Sequence, residues 1–473
     1  MGTFIHILTG NGQNDIPGTF NAGATLGPVN PVRSKTSKMS ADVQAHRTSN
    51  GVNETNMARI WNPSIKFRTS HSIKLMTGKH KQSNTPLKRK VFVGLSGGVD
   101  SSVSAALLKQ AGCDVTGIFI KVWQPTLEQS PTLYREKGRT LFESCQSADD
   151  RLDAMRVCAK LQIPFRELDL TKEYKRAVVD YMIREYKAGK TPNPDVMCNR
   201  FIKFGRFYDW AFKNGADFVA TGHYSRIRKT TNYKPQITSK SKIQNPRLQT
   251  TDYSLLTGSD SQKDQSYFLW QIRKEQLPYI LFPIGAMRKT HVRKLAKRFG
   301  LITADKKDSQ GLCFVGKVDM KEFLGRYIKE KPGDVLDAKG NVVGEHDGGF
   351  FLTLGERRGF RIKSTRARMS PHYVIAKDIR KNTITVSPKF GKKELHNGVK
   401  SITLKECNWF QKPISGKTYA ARARYREMLQ PAKCSAKGEH TARVAFATPR
   451  IVALGQSLVL YDGDAVVGGG IIA

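Results

Sequence analysis

No apolar run in this chain approaches the ~18–20 residues that a membrane-spanning helix needs, which excludes that class. Cysteine is scarce and scattered, with seven residues at positions 113, 145, 158, 198, 313, 407 and 434. Their number is odd and no Cys-x-x-Cys occurs. That argues against a secreted disulfide framework, a zinc ribbon or a simple iron–sulfur cradle. Free thiols in a reducing compartment are the default, most of them packing residues. Apart from His223, the histidines show no ligand spacing. Acidic residues are also in short supply: 40 Asp and Glu face 79 Lys and Arg, a formal charge of +39. Residues 1–90 carry 13 basic and three acidic residues, which leaves +29 on the remainder. A small-metabolite enzyme has little use for such a charge. A polyphosphate partner does, because each neutralised phosphate releases counterions and steers association. Nucleic acid is therefore the expected partner.

What is present is sharpest at Gly94-Leu95-Ser96-Gly97-Gly98-Val99-Asp100-Ser101-Ser102. The apolar run Lys90–Val93 before it reads as a buried strand, and Val103–Lys109 after it as a helix. A strand, a Gly/Ser loop and a helix start form a phosphate cradle. Glycines let backbone N–H groups close on an anion, and the helix N-terminus adds partial positive charge. No Gly-Lys-Ser/Thr closes the loop, so it is not a Walker A loop. It resembles the Ser-Gly-Gly-x-Asp-Ser signature of the PP-loop ATP pyrophosphatases, which cut ATP to AMP and pyrophosphate while adenylating a substrate oxygen.

Residues 1–87 are rich in Ser, Thr, Asn, Gly, Lys and Arg and lack sustained periodicity, as a disordered basic leader does. The Arg/Ser-rich, acid-poor bias suits a mitochondrial transit peptide, although the first 20 residues hold no Lys or Arg. A basic arm for RNA on a cytoplasmic protein is the competing reading. From 88 to 317 the pattern alternates. Val115–Lys121, Phe165–Leu170 and Asp217–Tyr224 read as strands, and Ser147–Leu161 as an amphipathic helix with Leu152, Met155 and Ala159 on its apolar face. Alternation predicts an α/β fold with a parallel sheet and ligands at the carboxyl ends of the strands. Polar inserts interrupt it at 124–139 and 229–251; the second has five Lys/Arg and no acid. A small β-rich central domain is expected over 318–370. Short strands with turn signals over 371–473 suggest an antiparallel β-barrel.

Two cysteines stand out by their surroundings. Cys198 follows Thr191-Pro192-Asn193-Pro194-Asp195-Val196-Met197, and one helical turn would set it on the face of Asp195. Arg200 and Lys203 nearby would favour the thiolate. Cys313 lies in Asp308-Ser309-Gln310-Gly311-Leu312-Cys313-Phe314, after basic residues. Taken singly, each thiol is more often a buried small hydrophobe.

The glycine loop, Asn193–Asn199, Ala220-Thr221-Gly222-His223-Tyr224, Lys263-Asp264-Gln265-Ser266-Tyr267-Phe268-Leu269, Asp308–Phe314 and the tail Gly468–Ile472 occur in one order. Together, over roughly 88–473, they resemble the tRNA-specific 2-thiouridylases, the MnmA/TRMU family. The resemblance implies a PP-loop domain of the adenine nucleotide alpha hydrolase type, a small central domain and a C-terminal barrel. It implies that Gly94, Leu95, Ser96, Gly97, Gly98, Val99, Asp100 and Ser101 hold the phosphates of ATP, with Ile120 at the adenine and Gly222 against the nucleotide. Asn193, Pro194 and Asp195 would touch the wobble uridine at position 34 of tRNA, with Asp195 as general acid/base. Lys263, Asp264, Gln265, Arg424 and Tyr425 would contact the tRNA.

The implied reaction adenylates the uracil C2 oxygen. A sulfur-relay protein would load Cys313 as a persulfide, and Cys198 would close a disulfide with it or free hydrosulfide. Mg²⁺ is expected with ATP, without a dedicated protein metal site. His223 is either an acid/base group or a positioning residue. Two rivals remain: another PP-loop enzyme, such as a tRNA lysidine synthetase or an amide-forming ligase, and a non-catalytic basic RNA-binding protein.

Overall fold

The computed structural model describes residues 88–124, 146–234, 248–308, 320–363, 371–388 and 398–473. The leader, most of the 124–139 insert, the tip of the 229–251 insert and Cys313 lie outside the described residues.

The first domain is built on five parallel strands, β1 (Lys90–Leu95), β2 (Asp114–Lys121), β3 (Phe165–Asp169), β4 (Phe218–Ala220) and β7 (Ile280–Leu281). Their order is β3-β2-β1-β4-β7. The chain grows outward from β1 in both directions, so the crevice at the carboxyl ends of β1 and β4 is a topological switch point. Helix α1 (Val99–Gln110) is buried on two sides. Ala105 and Leu108 pack on the sheet with Val91, Val93 and Leu95, while Val99, Val103 and Ala106 meet Val292, Leu295 and Ala296 of a later helix. That double burial extends to the serines Ser101, Ser102 and Ser104 of its first turns.

The expected helix forms as α2 (Gln146–Leu161), but it turns a different face inward. Ala154, Val157 and Cys158 are buried, whereas Leu152 and Met155 are exposed. The core beside β2 is tight: a Cβ at Gly117 would come within 2.4 Å of Cys158 Sγ. Small side chains therefore win over the larger ones next to them.

The 229–251 insert is a correction. Its flanks form a long antiparallel hairpin, β5 (Ser225–Lys234) with β6 (Leu248–Thr257). The central domain is a second five-stranded sheet of β8 (Gly333–Leu336), β9 (Val342–His346), β10 (Phe360–Ile362), β11 (Tyr373–Asp378) and β12 (Thr383–Ser387), in the order β10-β9-β8-β12-β11. Strand β12 pairs in parallel with β8 through Ile384↔Val335 and Thr385↔Leu336. The boundary expected at 370/371 thus falls after Ser387. A turn-rich string of short strands does not reveal which sheet each strand joins, because that is decided by non-local pairing.

The last domain closes on itself. Strands β13 (Val399–Trp409), β14 (Thr418–Arg422), β15 (Gln430–Ala436), β16 (Ala442–Arg450), β17 (Ser457–Asp462) and β18 (Ala465–Ile472) run in the order β13-β16-β15-β14-β17-β18, and β13 also pairs with β18. The β5–β6 hairpin joins the barrel at β18 through Leu256↔Ala465. One apolar cluster ties the barrel to the first domain: Val196, Phe204, Tyr267, Trp270 and Ile280 pack with Phe410, Val459, Tyr461 and Val466. Each such aromatic is worth about 1.5–3 kcal/mol on burial. The barrel is therefore fixed against the segment that carries Asp195 and Cys198.

Candidate functional site

The glycine loop lies at the switch point, as its sequence predicts. Gly97 has φ +68°, and a Cβ there would sit 2.3 Å from the Asp150 carbonyl oxygen, so only glycine fits. Gly98 caps α1 with extended backbone and no side-chain capping hydrogen bond. The N–H groups of the first turn are thereby kept for an anion. Ser101 braces the loop: its hydroxyl donates to Gly98 O at 3.2 Å and accepts from Ser96 N at 3.2 Å. Leu95 and Val99 are buried anchors on either side. Gly222 closes the opposite wall. A Cβ on it would lie 2.6 Å from Ser101 N, so any side chain there would cover the cradle. These features fit a nucleotide triphosphate.

Ile120 lies one residue beyond the last β1–β2 pair, Leu95↔Phe119, beside the loop. Its side chain is fully buried in the apolar cluster that holds Phe92, Val122 and Trp123.

Asn193, Pro194 and Asp195 start a short helix, Pro194–Met197. Asn193 Oδ1 accepts from Val196 N at 3.3 Å, and Pro194 fills the first helical position. The barrel holds this turn from behind: Thr191 N donates to Leu454 O at 2.8 Å, and Gln456 Nε2 donates to Thr191 O at 3.0 Å. Cys198 opens a π-helical stretch, Cys198–Phe207, of the kind enriched at functional sites. Asp195 and Cys198 are both buried.

Of the two cations expected to favour the thiolate, Arg200 reaches out to Glu406 at 3.0 Å. Lys203 Nζ lies 3.5 Å from His223 Nε2. An ammonium only donates, so Nε2 accepts and the imidazole proton sits on Nδ1, 2.7 Å from Thr221 Oγ1. Burial, reinforced by Lys203, holds His223 well below its usual pKa. It is a neutral positioning residue between the Cys198 helix and the Gly222 wall. The continuous line Lys203–His223–Thr221–Gly222–Ser101 is what joins the thiol-bearing helix to the phosphate cradle.

A pH dependence follows. Unfolded, His223 titrates near 6.5; folded, it stays neutral far below that. Between the two values the unfolded state binds the extra proton, so stability falls as pH drops through the unfolded value. The unfolding free energy of the wild type minus that of His223→Gln is expected to rise with pH by up to about 1.4 kcal/mol per unit below pH ~6.5, then flatten. Urea titrations across this range check it, and a flat difference contradicts it.

The expected tRNA contacts occupy a layer of scaffold. Asp264 is buried, accepting from Gly258 N at 3.0 Å and Ser266 N at 3.1 Å, and it pairs with Arg422 at 3.4 Å. Gln265 accepts from Tyr224 N at 2.9 Å. Arg424 donates to Leu354 O of the central domain at 2.7 Å. Tyr425 packs on Phe268, ring centroids 4.5 Å apart. Lys263 is half-buried and binds Asp308 at 2.6 Å.

That last pair belongs to a cluster that sequence reasoning missed. Lys289 Nζ contacts both oxygens of Asp100, at 2.7 and 2.8 Å, and Asp308 Oδ1 at 2.8 Å. Tyr224 donates to Asp100 at 2.7 Å, and Arg293 binds Asp308 at 2.8 Å. Burial raises the Asp308 carboxyl, but hydrogen bonds from Lys263 and Lys289 outweigh it and hold it down at about 2. The signal was available: Lys289 shares the i, i+3, i+7 stripe of Val292 and Ala296 on α3 (Lys289–Arg298). Among the described residues, no group of three or more His, Cys, Asp or Glu is placed to hold a metal.

Family models match almost the whole described chain. The tRNA methyl transferase HUP domain matches residues 89–317, the tRNA methyl transferase PRC-barrel domain 321–388, and the aminomethyltransferase beta-barrel domain 399–472. Among curated relatives, the tRNA-specific 2-thiouridylase MnmA of Lysinibacillus sphaericus is 38% identical over 395 residues, covering 83% of this chain and 96% of the relative. The protein of the same name from Listeria monocytogenes serotype 4a is 39% identical over 386 residues, covering 81% and 94%. That of Bacillus pumilus is 40% identical over 392 residues, covering 82% and 95%.

Proposed function

Because the chain belongs to the MnmA family of tRNA-specific 2-thiouridylases, we propose that it replaces the C2 oxygen of the wobble uridine of tRNA with sulfur, at the expense of ATP. The observation that supports this reading is the hydrogen-bonded line from Lys203 through His223 to Thr221, which ties the helix that begins at Cys198 to the strand end that carries Gly222, against the start of α1. A nucleotide site and a nucleophile site that share one wall suit activation followed by displacement.

The chemistry needs both. A uracil C2 carbonyl is a poor electrophile and its oxygen a poor leaving group. The N–H groups of the loop and of the first turn of α1 hold the triphosphate. The C2 oxygen attacks the α-phosphorus and pyrophosphate leaves, while Asp195 accepts the N3 proton. A persulfide on Cys313, loaded by a sulfur-carrier protein, then attacks C2 through its outer sulfur, and AMP departs with the original oxygen. The Cys198 thiolate attacks the inner sulfur of the Cys313–S–S–C2 link. That releases the 2-thiouracil, which recovers its N3 proton, and leaves a Cys198–Cys313 disulfide for an external thiol to reduce. In the alternative order, Cys198 first liberates hydrosulfide from the persulfide and the hydrosulfide attacks C2.

The test is direct. The full chain is incubated with ATP, Mg²⁺, a small-molecule persulfide as sulfur donor and an unmodified tRNA bearing a wobble uridine, and the digested tRNA is examined by mass spectrometry. The expected result is 2-thiouridine, with one AMP and one pyrophosphate per thiolated base. Pyrophosphate release without a thiolated base would overturn the reading.

A further inference from the structure

Lys289 occupies a position that stability alone does not favour. Its side chain is only 11% exposed. It is also the first residue of α3, where the helix dipole repels a cation. Two carboxylates hold it there, Asp100 from the first turn of α1 and Asp308 from the far side. Replacing such buried ionic groups by apolar ones is often neutral or stabilising, so their presence calls for another reason. The location supplies one. Asp100 is the second residue of the helix whose uncapped N-terminus forms the phosphate cradle, so the ammonium stands one carboxylate away from it. Lys263, Lys289 and Arg293 here meet three carboxylates, Asp100, Asp308 and Asp260, the last accepting from Lys289 N at 2.9 Å.

We propose that Lys289 is a further catalytic residue of the adenylation step, the cation that receives the charge of the departing pyrophosphate. This rests on the adenylation reading above. As the C2 oxygen bonds to the α-phosphorus, the bond from that phosphorus to the bridging oxygen breaks, and its electron pair goes to pyrophosphate. Lys289 stays protonated throughout and exchanges a hydrogen bond to Asp100 for one to that oxygen. A pre-placed donor in a site shielded from water stabilises such charge without reorganisation. Asp100 and Asp308 hold the ammonium ready and compete with pyrophosphate for it.

The experiment measures equilibrium binding of inorganic pyrophosphate and of AMP, separately, to the full chain by calorimetry. Lys289→Met is expected to weaken pyrophosphate about 30-fold or more and to leave AMP within about twofold, the loss expected for one charge-assisted contact. Equal losses for both ligands would mark a purely structural lysine and overturn the proposal, as would unchanged pyrophosphate binding. Should Lys289→Met fail to fold, Asp308→Asn decides. Removing the competing carboxylate is expected to tighten pyrophosphate several-fold with AMP unchanged, and no tightening overturns the proposal. A wild-type chain that binds neither ligand would instead overturn the adenylation reading itself, and this inference with it.

Discussion

Cys198→Ser and Cys313→Ser are each expected to lower tRNA thiolation by at least about 10⁴-fold while tRNA-dependent pyrophosphate release continues, because a sulfur relay has no substitute for either sulfur. Mass spectrometry of digested tRNA and a pyrophosphate assay on the same sample separate the two effects. Cys198 is fully buried within the cluster of Met197, Ile202 and Phe207. A hydroxyl there costs about 1–3 kcal/mol of stability, so Cys198→Ala is run beside it as the variant free of that penalty. Three other described cysteines, Cys158, Cys407 and Cys434, serve as controls. Burial pushes the Cys158 and Cys434 thiols up to about 11 and that of Cys407 to about 12. Thiols so raised carry almost no thiolate at neutral pH, and the thiolate is the nucleophile. Single replacements of these three are expected to keep thiolation within a few-fold. Thiolation that survives in either serine variant would remove the cysteine relay from the proposed mechanism.

The parts of this protein that could be read from its sequence are those in which local chemistry fixes the backbone. Gly97 and the uncapped turn at Gly98 announce an anion site without any tertiary information, because few other residues tolerate that path. The Asn193–Pro194 helix start is equally local. What stayed hidden depends on distant partners. Strands β11 and β12 look like the next two of a barrel series, yet Ile384 and Thr385 pair with Val335 and Leu336 in another sheet. The hairpin strands β5 and β6 carry the polar composition of a loop, and their ladder from Ser225↔Thr257 to Lys234↔Leu248 only appears once they meet. Leu152 and Met155 are more apolar than the Ala154 and Cys158 that displace them from the core, because the volume beside Gly117 admits only small groups. Lys289 illustrates the same limit at the site. In Lys-Thr-His-Val-Arg-Lys-Leu-Ala-Lys-Arg the stripe shared with Val292 and Ala296 turns Lys289 inward, but the two carboxylates that receive it, Asp100 and Asp308, come from distant segments.

Gly222→Val is expected to be the most damaging substitution outside the cysteines, through the cradle rather than through stability. All three atoms nearest to a Cβ at this position are backbone: Ser101 N at 2.6 Å, Asp100 C at 2.7 Å and Ser101 Cα at 3.0 Å. Backbone at the start of a helix buried on both sides cannot step aside as the end of a flexible side chain would. Either α1 or the turn after β4 must move, and overpacking of this kind costs about 1–3 kcal/mol. The functional loss is larger. The branched side chain covers Ser101 N–H and occupies the space where phosphate oxygens would approach the first turn. ATP affinity is therefore expected to fall at least about 100-fold, equivalent to roughly 2.8 kcal/mol. Pyrophosphate release at fixed ATP should drop about 10³-fold, as misplacement of the reacting groups adds to weak binding. Gly325→Ala is the matched control, since nothing lies within 4 Å of a Cβ there, and it should leave ATP binding unchanged. ATP titrations and thermal melts on both variants check this. A Gly222→Val protein that binds ATP normally would show that the nucleotide does not lie against this wall. The shared boundary between the phosphate cradle and the Cys198 helix would then lose its chemical meaning.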